Sequence, residues 1–378
     1  MSALLWTLEA MATAMGAERA GNLPRDVPGL SIDTRSLKPG EAFFAIQGEN
    51  RDGHGFVEAA LNAGAGLAVV ARDKAAAMPK GAPLLVVADV LEALNALARA
   101  SRARSHAKIV AVTGSVGKTG SKEALLLVLG KQGETHASAA SYNNHWGVPL
   151  SLALMPQGEK FGVFEIGMNH AGEVTPLTQL VRPHVAIVTS IAPVHLEFFG
   201  TLEAIADAKA EIFAGIESGG AAVLNADNAQ FWRLERAAQI AGVKEIVAFG
   251  ERADAQARLI KVSLQTETST VQARIFGHDV TYKLGAPGRH VVDNSLAVLA
   301  AAHLLGADLA LAALALADLK PPAGRGERVT LEAPGGAVLL IDESYNANPV
   351  SMHAALALLG QVPVKGMGRR IAVIGDML

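Results

Sequence analysis

Ile109-Val110-Ala111-Val112-Thr113-Gly114-Ser115-Val116-Gly117-Lys118-Thr119 decides how the chain is read. Residues 109–112 are an apolar run of the kind that forms a buried strand, and residues 122–129 are patterned as a helix. Between them, Thr113, Gly114, Ser115, Val116, Gly117, Lys118 and Thr119 form a phosphate-binding loop. Its glycines let backbone N–H groups close around a polyphosphate, and the following helix turns its positive end toward it. Lys118 then reaches the β- and γ-phosphates, and the Thr119 hydroxyl can sit on Mg²⁺. The strict pattern has a further glycine six residues before the lysine, where this chain has Val112. A lysine falling by chance in a glycine turn is the bland alternative, and the flanking strand and helix argue against it. The expectation is ATP or GTP binding, with the reaction left open by this loop alone.

Composition sets the frame around that loop. At 378 residues, 50% hydrophobic and 18% charged, the chain is long and apolar enough for about two to three domains with real cores. Net charge is −3 and basic residues are not clustered, which argues against nucleic acid as a partner. The absence of cysteine excludes disulfides and thiolate zinc sites and suits the cytoplasm. The first sixteen residues lack a basic leader and carry Glu9, so they read as an amphipathic helix and not as a signal peptide. The most apolar stretch, 295–319, is broken by His303, Gly306 and Asp308; it predicts two packed alanine-rich helices and no membrane insertion.

Three sections follow from the patterning: 1–107, 108–323 and 324–378. The first mixes strands at 42–47, 67–70 and 84–87 with helices, and ends in a helix at 90–104 that Asp89 and Glu92 can cap. The second alternates strands at 162–168, 185–191, 221–225 and 245–249 with helical segments. That alternation predicts a mostly parallel sheet covered on both faces. Residues 259–284, with polar residues spaced by two, predict added antiparallel strands. The third section shows a strand at 337–342, a helix at 349–359 and a strand at 371–374, a single β-α-β piece expected to be an incomplete domain.

Chemistry-bearing residues gather at expected strand ends. Glu165 ends a strand beside the phosphate loop, placed either to hold Mg²⁺ or to face solvent; flanking Phe164 and Ile166 suggest burial, and a buried carboxylate needs a partner. His195 follows a strand at its C-terminal edge, where ligands collect in open α/β sheets; a structural histidine is the other reading. Lys209, on a helix expected at 201–216, shares its face with Leu202, Ile205, Ile212, Phe213 and Ile216. Two readings stand: a lysine snorkelling to water, or one whose pKa is lowered by burial and which is open to covalent modification. Asn143 and Asn144 form either a turn or a pair of amides for substrate. Asn294 either caps a helix or meets a ligand. The polar cluster Asp342 to Asn348, with Tyr345 and Asn346, is a candidate site at a strand edge.

Together these motifs resemble the Mur ligase family of cytoplasmic ATP-dependent amide ligases. The resemblance rests on TGSVGKT, Asn143-Asn144 with Gly147 and Pro149, FEIGMNHAGE, APVHLEFFG, DAKAEIF and PGRHVVDNSLA, and spans essentially the whole chain. It implies an α/β chain of three-domain Mur ligase architecture: an N-terminal α/β substrate domain, a central P-loop domain with a mostly parallel sheet covered by helices, and an incomplete C-terminal Rossmann-like α/β domain. SIDTRSLKPGEAFFAIQGENRDGHGF resembles the UDP-sugar-peptide domain, in which Ser31, Thr34, Arg35, Asp52 and His54 would face the substrate. DESYNANPVSM points to the member that joins D-alanyl-D-alanine to UDP-N-acetylmuramoyl-tripeptide. The resemblance further implies Thr119 and Glu165 on one Mg²⁺, His195 on a second, a carbamylated Lys209, Asn294 at the adenine, and Arg325 and Asp342 on the phosphate and ribose side. A monomer is expected. Alternatives are a folylpolyglutamate synthetase-like ligase, against which the N-terminal section speaks, and a truncated, non-catalytic nucleotide-binding protein.

Overall fold

The computed structural model describes residues 4–48, 50–139, 142–194, 196–333, 336–364, 366 and 368–376. Two compact units divide the chain: Met1–Ala107 with His136–Gly162, and Lys108–Thr135 with Val163–Leu378. The inclusion of residues 136–162 in the first unit is explained by its packing. The helix Val90–Arg104 buries Val90, Leu94, Leu97 and Ala98, and lies against the helices Leu8–Met15 and Gly147–Ala153. The Trp6 indole N–H donates to the Ala153 carbonyl at 2.9 Å, and the Arg104 guanidinium lies 3.5 Å from the centre of the Trp6 ring. Asp89 accepts the Glu92 N–H at 2.8 Å, the expected cap.

The first unit's sheet runs, in spatial order, Glu18–Ala20, Leu84–Val87, Leu67–Ala71, Ala42–Phe44 and Leu30–Ser31. Its first pairing is antiparallel and the others parallel. Phe43, Ala45, Val57, Ala60, Ala68 and Val70 form a core beneath it. The N-terminal helix is shorter than the sequence predicts, Leu8–Met15. Trp6 and Thr7 pair instead with Val27 and Asp26, and the Thr7 hydroxyl caps the helix at the Ala10 N–H.

The second unit is organised by a mostly parallel sheet. Its strands are β1 (Lys108–Thr113), β2 (Phe161–Glu165), β3 (Val185–Val188), β4 (Ala221–Asn225), β5 (Glu245–Gly250), β6 (Ala257–Leu264), β7 (Ser269–Ile275) and β8 (His278–Leu284). In space β8, β7, β6, β5, β4, β3, β1 and β2 are neighbours in that order. Pairing is parallel from β1 through β3, β4 and β5 to β6, and antiparallel in β6-β7-β8, as the switch in patterning implies. β1 and β3 are buried almost throughout, as strands covered on both faces must be. Helices α1 (Lys118–Gly130), α2 (Val174–Val181), α3 (Leu202–Ala210) and α4 (Arg289–Leu304) cover it. α4 packs against Leu309–Ala315, the alanine-rich pair expected from the sequence. Among the described residues no helix is long and apolar enough to cross a membrane.

Near the C-terminus the structure corrects the expected β-α-β piece. Strands β9 (Glu327–Ala333) and β10 (Gly336–Asp342) form an antiparallel hairpin, followed by α5 (Pro349–Gln361). Residues 371–374 are not a strand; Ile371, Val373 and Ile374 are exposed at 64%, 95% and 63%. A strand exists by pairing, and no neighbouring strand among the described residues takes their backbone groups.

Candidate active site

The loop between β1 and α1 is shaped by two close approaches. Gly114 has φ +148°, and a Cβ there would fall 1.9 Å from the Thr189 hydroxyl oxygen. Gly117 has φ +86°, and its Cβ would lie 2.4 Å from the Asn294 side-chain nitrogen. Only glycine fits either position. Asn294, on α4, is therefore held directly against the phosphate loop. α1 begins at Lys118, earlier than residues 122–129 suggest, so its N-terminal N–H groups point into the loop.

Residues that the sequence reading did not single out hold this loop. Strand β3 stops at Val188, and Thr189 and Ser190, read from sequence as strand, turn toward the loop. The Thr189 hydroxyl donates to the Val116 carbonyl at 2.6 Å, and the Ser115 N–H donates to the Ser190 carbonyl at 2.8 Å. The Ser115 hydroxyl donates to the Ala192 carbonyl and accepts the Ala192 N–H, both at 3.0 Å. Asn225 and Asn228 then donate to the carbonyls of Thr189 and Ile191 at 3.1 and 2.9 Å. The signal available in the sequence was a Thr-Ser pair interrupting an apolar strand.

Lys118 donates to the Gly114 carbonyl at 2.8 Å, folded over its own loop. Burial lowers its pKa; the Glu165 charge opposes this shift and the Arg325 charge adds to it. Glu165, only 1% exposed, accepts the Thr119 hydroxyl at 2.9 Å. A hydroxyl and a carboxylate oxygen side by side are hard donors suited to Mg²⁺. Among the described residues no group of three His, Asp or Glu gathers as a metal site. Such an ion would draw its remaining ligands from phosphates and water. His195 lies outside the described residues.

Lys209 sits in the last turn of α3, which Thr201 caps through the Ala204 N–H. The residue is 3% exposed, so its ammonium does not snorkel to water. Among the described residues its ammonium has no hydrogen-bond or ion-pair partner. Burial first, and then the Lys118 charge, push its pKa well below the lysine range. The structure thus brings Lys118, Thr119, Glu165, Lys209, Asn294 and Arg325 toward one edge of the sheet, linked by contact or by charge.

Arg325 stacks on Tyr345, its guanidinium 4.2 Å from the ring centre. Asp342 accepts the Ser344 N–H at 2.9 Å, and bonding to Ser344 holds its carboxyl below the usual range. Burial pushes the neighbouring Glu343 up. Asn346 is exposed and accepts the Ala347 N–H at 2.9 Å; Asn348 caps α5 in a reciprocal pair with Ser351.

In the first unit the substrate candidates fall into two kinds. Arg35 is exposed and bidentate to Asp33, and Ser31 closes the same turn by accepting the Asp33 N–H at 3.1 Å. Thr34 lies within this turn, and Arg35 senses Tyr142 electrostatically. Asn144 accepts the N–H groups of Trp146 and Gly147 at 3.2 and 2.9 Å, while Trp146 packs against Gly48. Asn143 is half-buried beside it. His54, by contrast, is buried, its Nδ1 2.6 Å from Asp52 and its Nε2 accepting the Ala71 N–H at 2.9 Å. One ring nitrogen is spent on Asp52 in its own turn and the other on the end of the strand Leu67–Ala71, while the second Asp52 oxygen faces Lys74 at 3.4 Å.

Family models match most of the chain: the Mur ligase middle domain over residues 112–302 and the Mur ligase family catalytic domain over residues 26–102. The chain belongs to the Mur ligase family. Among its relatives, the UDP-N-acetylmuramoyl-tripeptide–D-alanyl-D-alanine ligase of Escherichia coli (strain K12) is 37% identical over 351 residues, covering 92% of this chain and 74% of that one. The enzyme of the same name from Rickettsia prowazekii (strain Madrid E) is 33% identical over 375 residues, covering 99% and 81%. A crystal structure of MurF from Acinetobacter baumannii superposes with a TM-score of 0.83 at 30% identity, covering 95% of this chain and 76% of that one. A mutant of L. casei FPGS shares the fold alone, at 15% identity and a TM-score of 0.58, covering 72% of this chain and 76% of that one.

Proposed function

We propose that this chain is an ATP-dependent amide ligase joining D-alanyl-D-alanine to UDP-N-acetylmuramoyl-tripeptide in peptidoglycan precursor synthesis. The observation that carries the ATP-dependent chemistry is the phosphate loop with the Thr119–Glu165 pair at 2.9 Å and Lys209 buried nearby. The substrates are argued from relatives at 33 and 37% identity over nearly the whole chain. In this reading residues 1–107 take the UDP-sugar peptide, 108–323 the nucleotide, and 324–378 the phosphate and ribose side through Arg325 and Asp342. Ser31, Thr34, Arg35, Asn143 and Asn144 face the sugar-peptide, and Tyr345 and Asn346 lie on the third section's side. The enzyme works as a cytoplasmic monomer.

The tripeptide's terminal carboxylate attacks the γ-phosphorus; a C–O–P bond forms, the bond to the β-phosphate oxygen breaks, and ADP leaves. The amine of D-alanyl-D-alanine then attacks the acyl phosphate, loses a proton, and expels phosphate to leave the amide. Lys118 and the loop N–H groups hold the β- and γ-phosphates, and Asn294 orients the adenine. Thr119 and Glu165 would hold one Mg²⁺, and His195 would help hold a second; bound there, the ions offset the anionic charge of phosphates and carboxylate. Buried, with no counter-ion among the described residues, Lys209 favours its neutral amine, which can add to CO₂ and release a proton. A carbamate formed there would be an anion able to supply oxygen donors to a metal ion.

The test is ADP release with Mg²⁺ and ATP across a substrate matrix: each peptidoglycan substrate alone, both together, and folate with glutamate. ADP formed only with both peptidoglycan substrates supports the proposal. ADP formed with folate and glutamate overturns it.

A further inference from the structure

Glu211 begins a 3₁₀ turn directly after α3, two residues beyond Lys209. Its carboxylate accepts four hydrogen bonds from residues far away in the chain. The Gly172 N–H donates to one oxygen at 2.6 Å. The N–H groups of Val174 and Thr175, at 3.1 and 3.0 Å, and the Thr175 hydroxyl, at 3.1 Å, donate to the other. Val174 and Thr175 open α2, whose first N–H groups have no partner within the helix. The residue at the N-cap, Glu173, supplies no cap; its carboxylate turns back to the Asn169 N–H at 2.7 Å and to His170 at 3.1 Å. α2 is thus capped across space by Glu211, with its negative charge at the positive helix end.

We infer that Glu211 is a positioning residue, fixing the turn that carries Lys209 against the loop 166–173 that leaves β2 just after Glu165. Glu165 is set from one side, because the Ile166 N–H donates to the Val112 carbonyl of β1 at 2.9 Å. Lys209 is set from the other side, through Glu211. The catalytic half of this inference rests on the proposed ligase reading, since the spacing it fixes is that between the two groups assigned to the metal region.

Hydrogen exchange, steady-state kinetics and the ¹³C signal of a Lys209 carbamate under labelled bicarbonate are compared in wild type, Glu211→Ala and Glu211→Gln. Glu211→Ala speeds exchange across residues 168–176 while residues 113–119 stay protected. Its kcat falls on the order of 10²-fold, the cost of a small misplacement, with KM for ATP changed by less than about two-fold. The carbamate signal persists, because Lys209 itself is intact. Glu211→Gln, which keeps one acceptor oxygen, recovers part of kcat. Wild-type kcat with faster exchange overturns the inference, as does parallel loss of kcat, ATP affinity and protection throughout, the mark of general unfolding. If wild type itself fails to turn over, the ligase reading has failed, and exchange at 168–176 decides the clamp alone: faster exchange upholds it and unchanged exchange overturns it.

Discussion

Replacing Gly117 by alanine tests whether the loop's geometry is what binds nucleotide. At φ +86° an alanine is in left-handed territory, which costs about 1–2 kcal/mol. Its Cβ would also lie 2.4 Å from the Asn294 nitrogen, far inside contact, so the amide must swing away. Repacking of that kind costs about 1–3 kcal/mol. Together these cost about 2–5 kcal/mol, and with an unfolding entropy of about 2.1 cal/mol/K per residue a chain of this size melts roughly 3–6 °C lower. If the proposed reading of Asn294 and the loop as the nucleotide site holds, both changes weaken ADP binding, by about tenfold or more, each 1.4 kcal/mol being a factor of ten. The assay is calorimetric ADP titration together with thermal melting of Gly117→Ala, Asn294→Ala and the double variant. Removing the amide relieves the clash but not the φ strain, so the double variant melts above the sum of the two single losses. Wild-type ADP affinity in Gly117→Ala, or strictly additive melting losses, refutes the reasoning.

Three further outcomes follow from the same contacts. Lys118→Ala abolishes ATP turnover with the fold intact, checked by ADP release and circular dichroism; near-normal turnover contradicts the loop assignment. Thr189→Val removes the 2.6 Å donor to the Val116 carbonyl and leaves it only the Ser190 hydroxyl at 3.4 Å, costing about 1 kcal/mol, which appears as a raised KM for ATP with little change in overall secondary structure. Lys209→Met, melted in CO₂-free buffer, is more stable than wild type at neutral pH. The folded-state pKa of Lys209 lies below the ordinary 10.5, so between the two values the unfolded chain binds the extra proton and wild-type stability rises with pH. The gap between the variants therefore narrows as pH climbs toward 10.5, and a gap independent of pH contradicts an amine whose pKa is lowered by burial.

The sequence made the central sheet and the phosphate loop legible because both depend on local pattern: apolar runs of strand length, and glycines where only glycine fits. Lys209 was visible for the same reason, as a charge in the middle of an apolar stripe. What escaped depends on distant partners. Thr189 and Ser190 look like the continuation of a strand until the loop they hold is placed beside them. Glu211 looks like any helix-end carboxylate; its four donors lie 36–39 residues away. His54 carries the chemistry of a ligand-binding residue, yet its ring nitrogens are consumed by Asp52 in its own turn and by the Ala71 N–H at the end of a strand. The apolar run at 371–374 has strand composition without a neighbour among the described residues to pair with, and 327–333 became the first strand of a hairpin that the expected parallel unit had no place for.

The measurement that bears most directly on the central claim is the mass of the product formed by this chain from UDP-N-acetylmuramoyl-tripeptide, D-alanyl-D-alanine, ATP and Mg²⁺. With both oxygens of the tripeptide's terminal carboxylate labelled with ¹⁸O, the account predicts a product heavier than the labelled substrate by one dipeptide less one H₂¹⁸O. It also predicts one ¹⁸O carried into the released phosphate, because the carboxylate oxygen leaves with it. Absence of the ligated product, or product formed with unlabelled phosphate, contradicts the account.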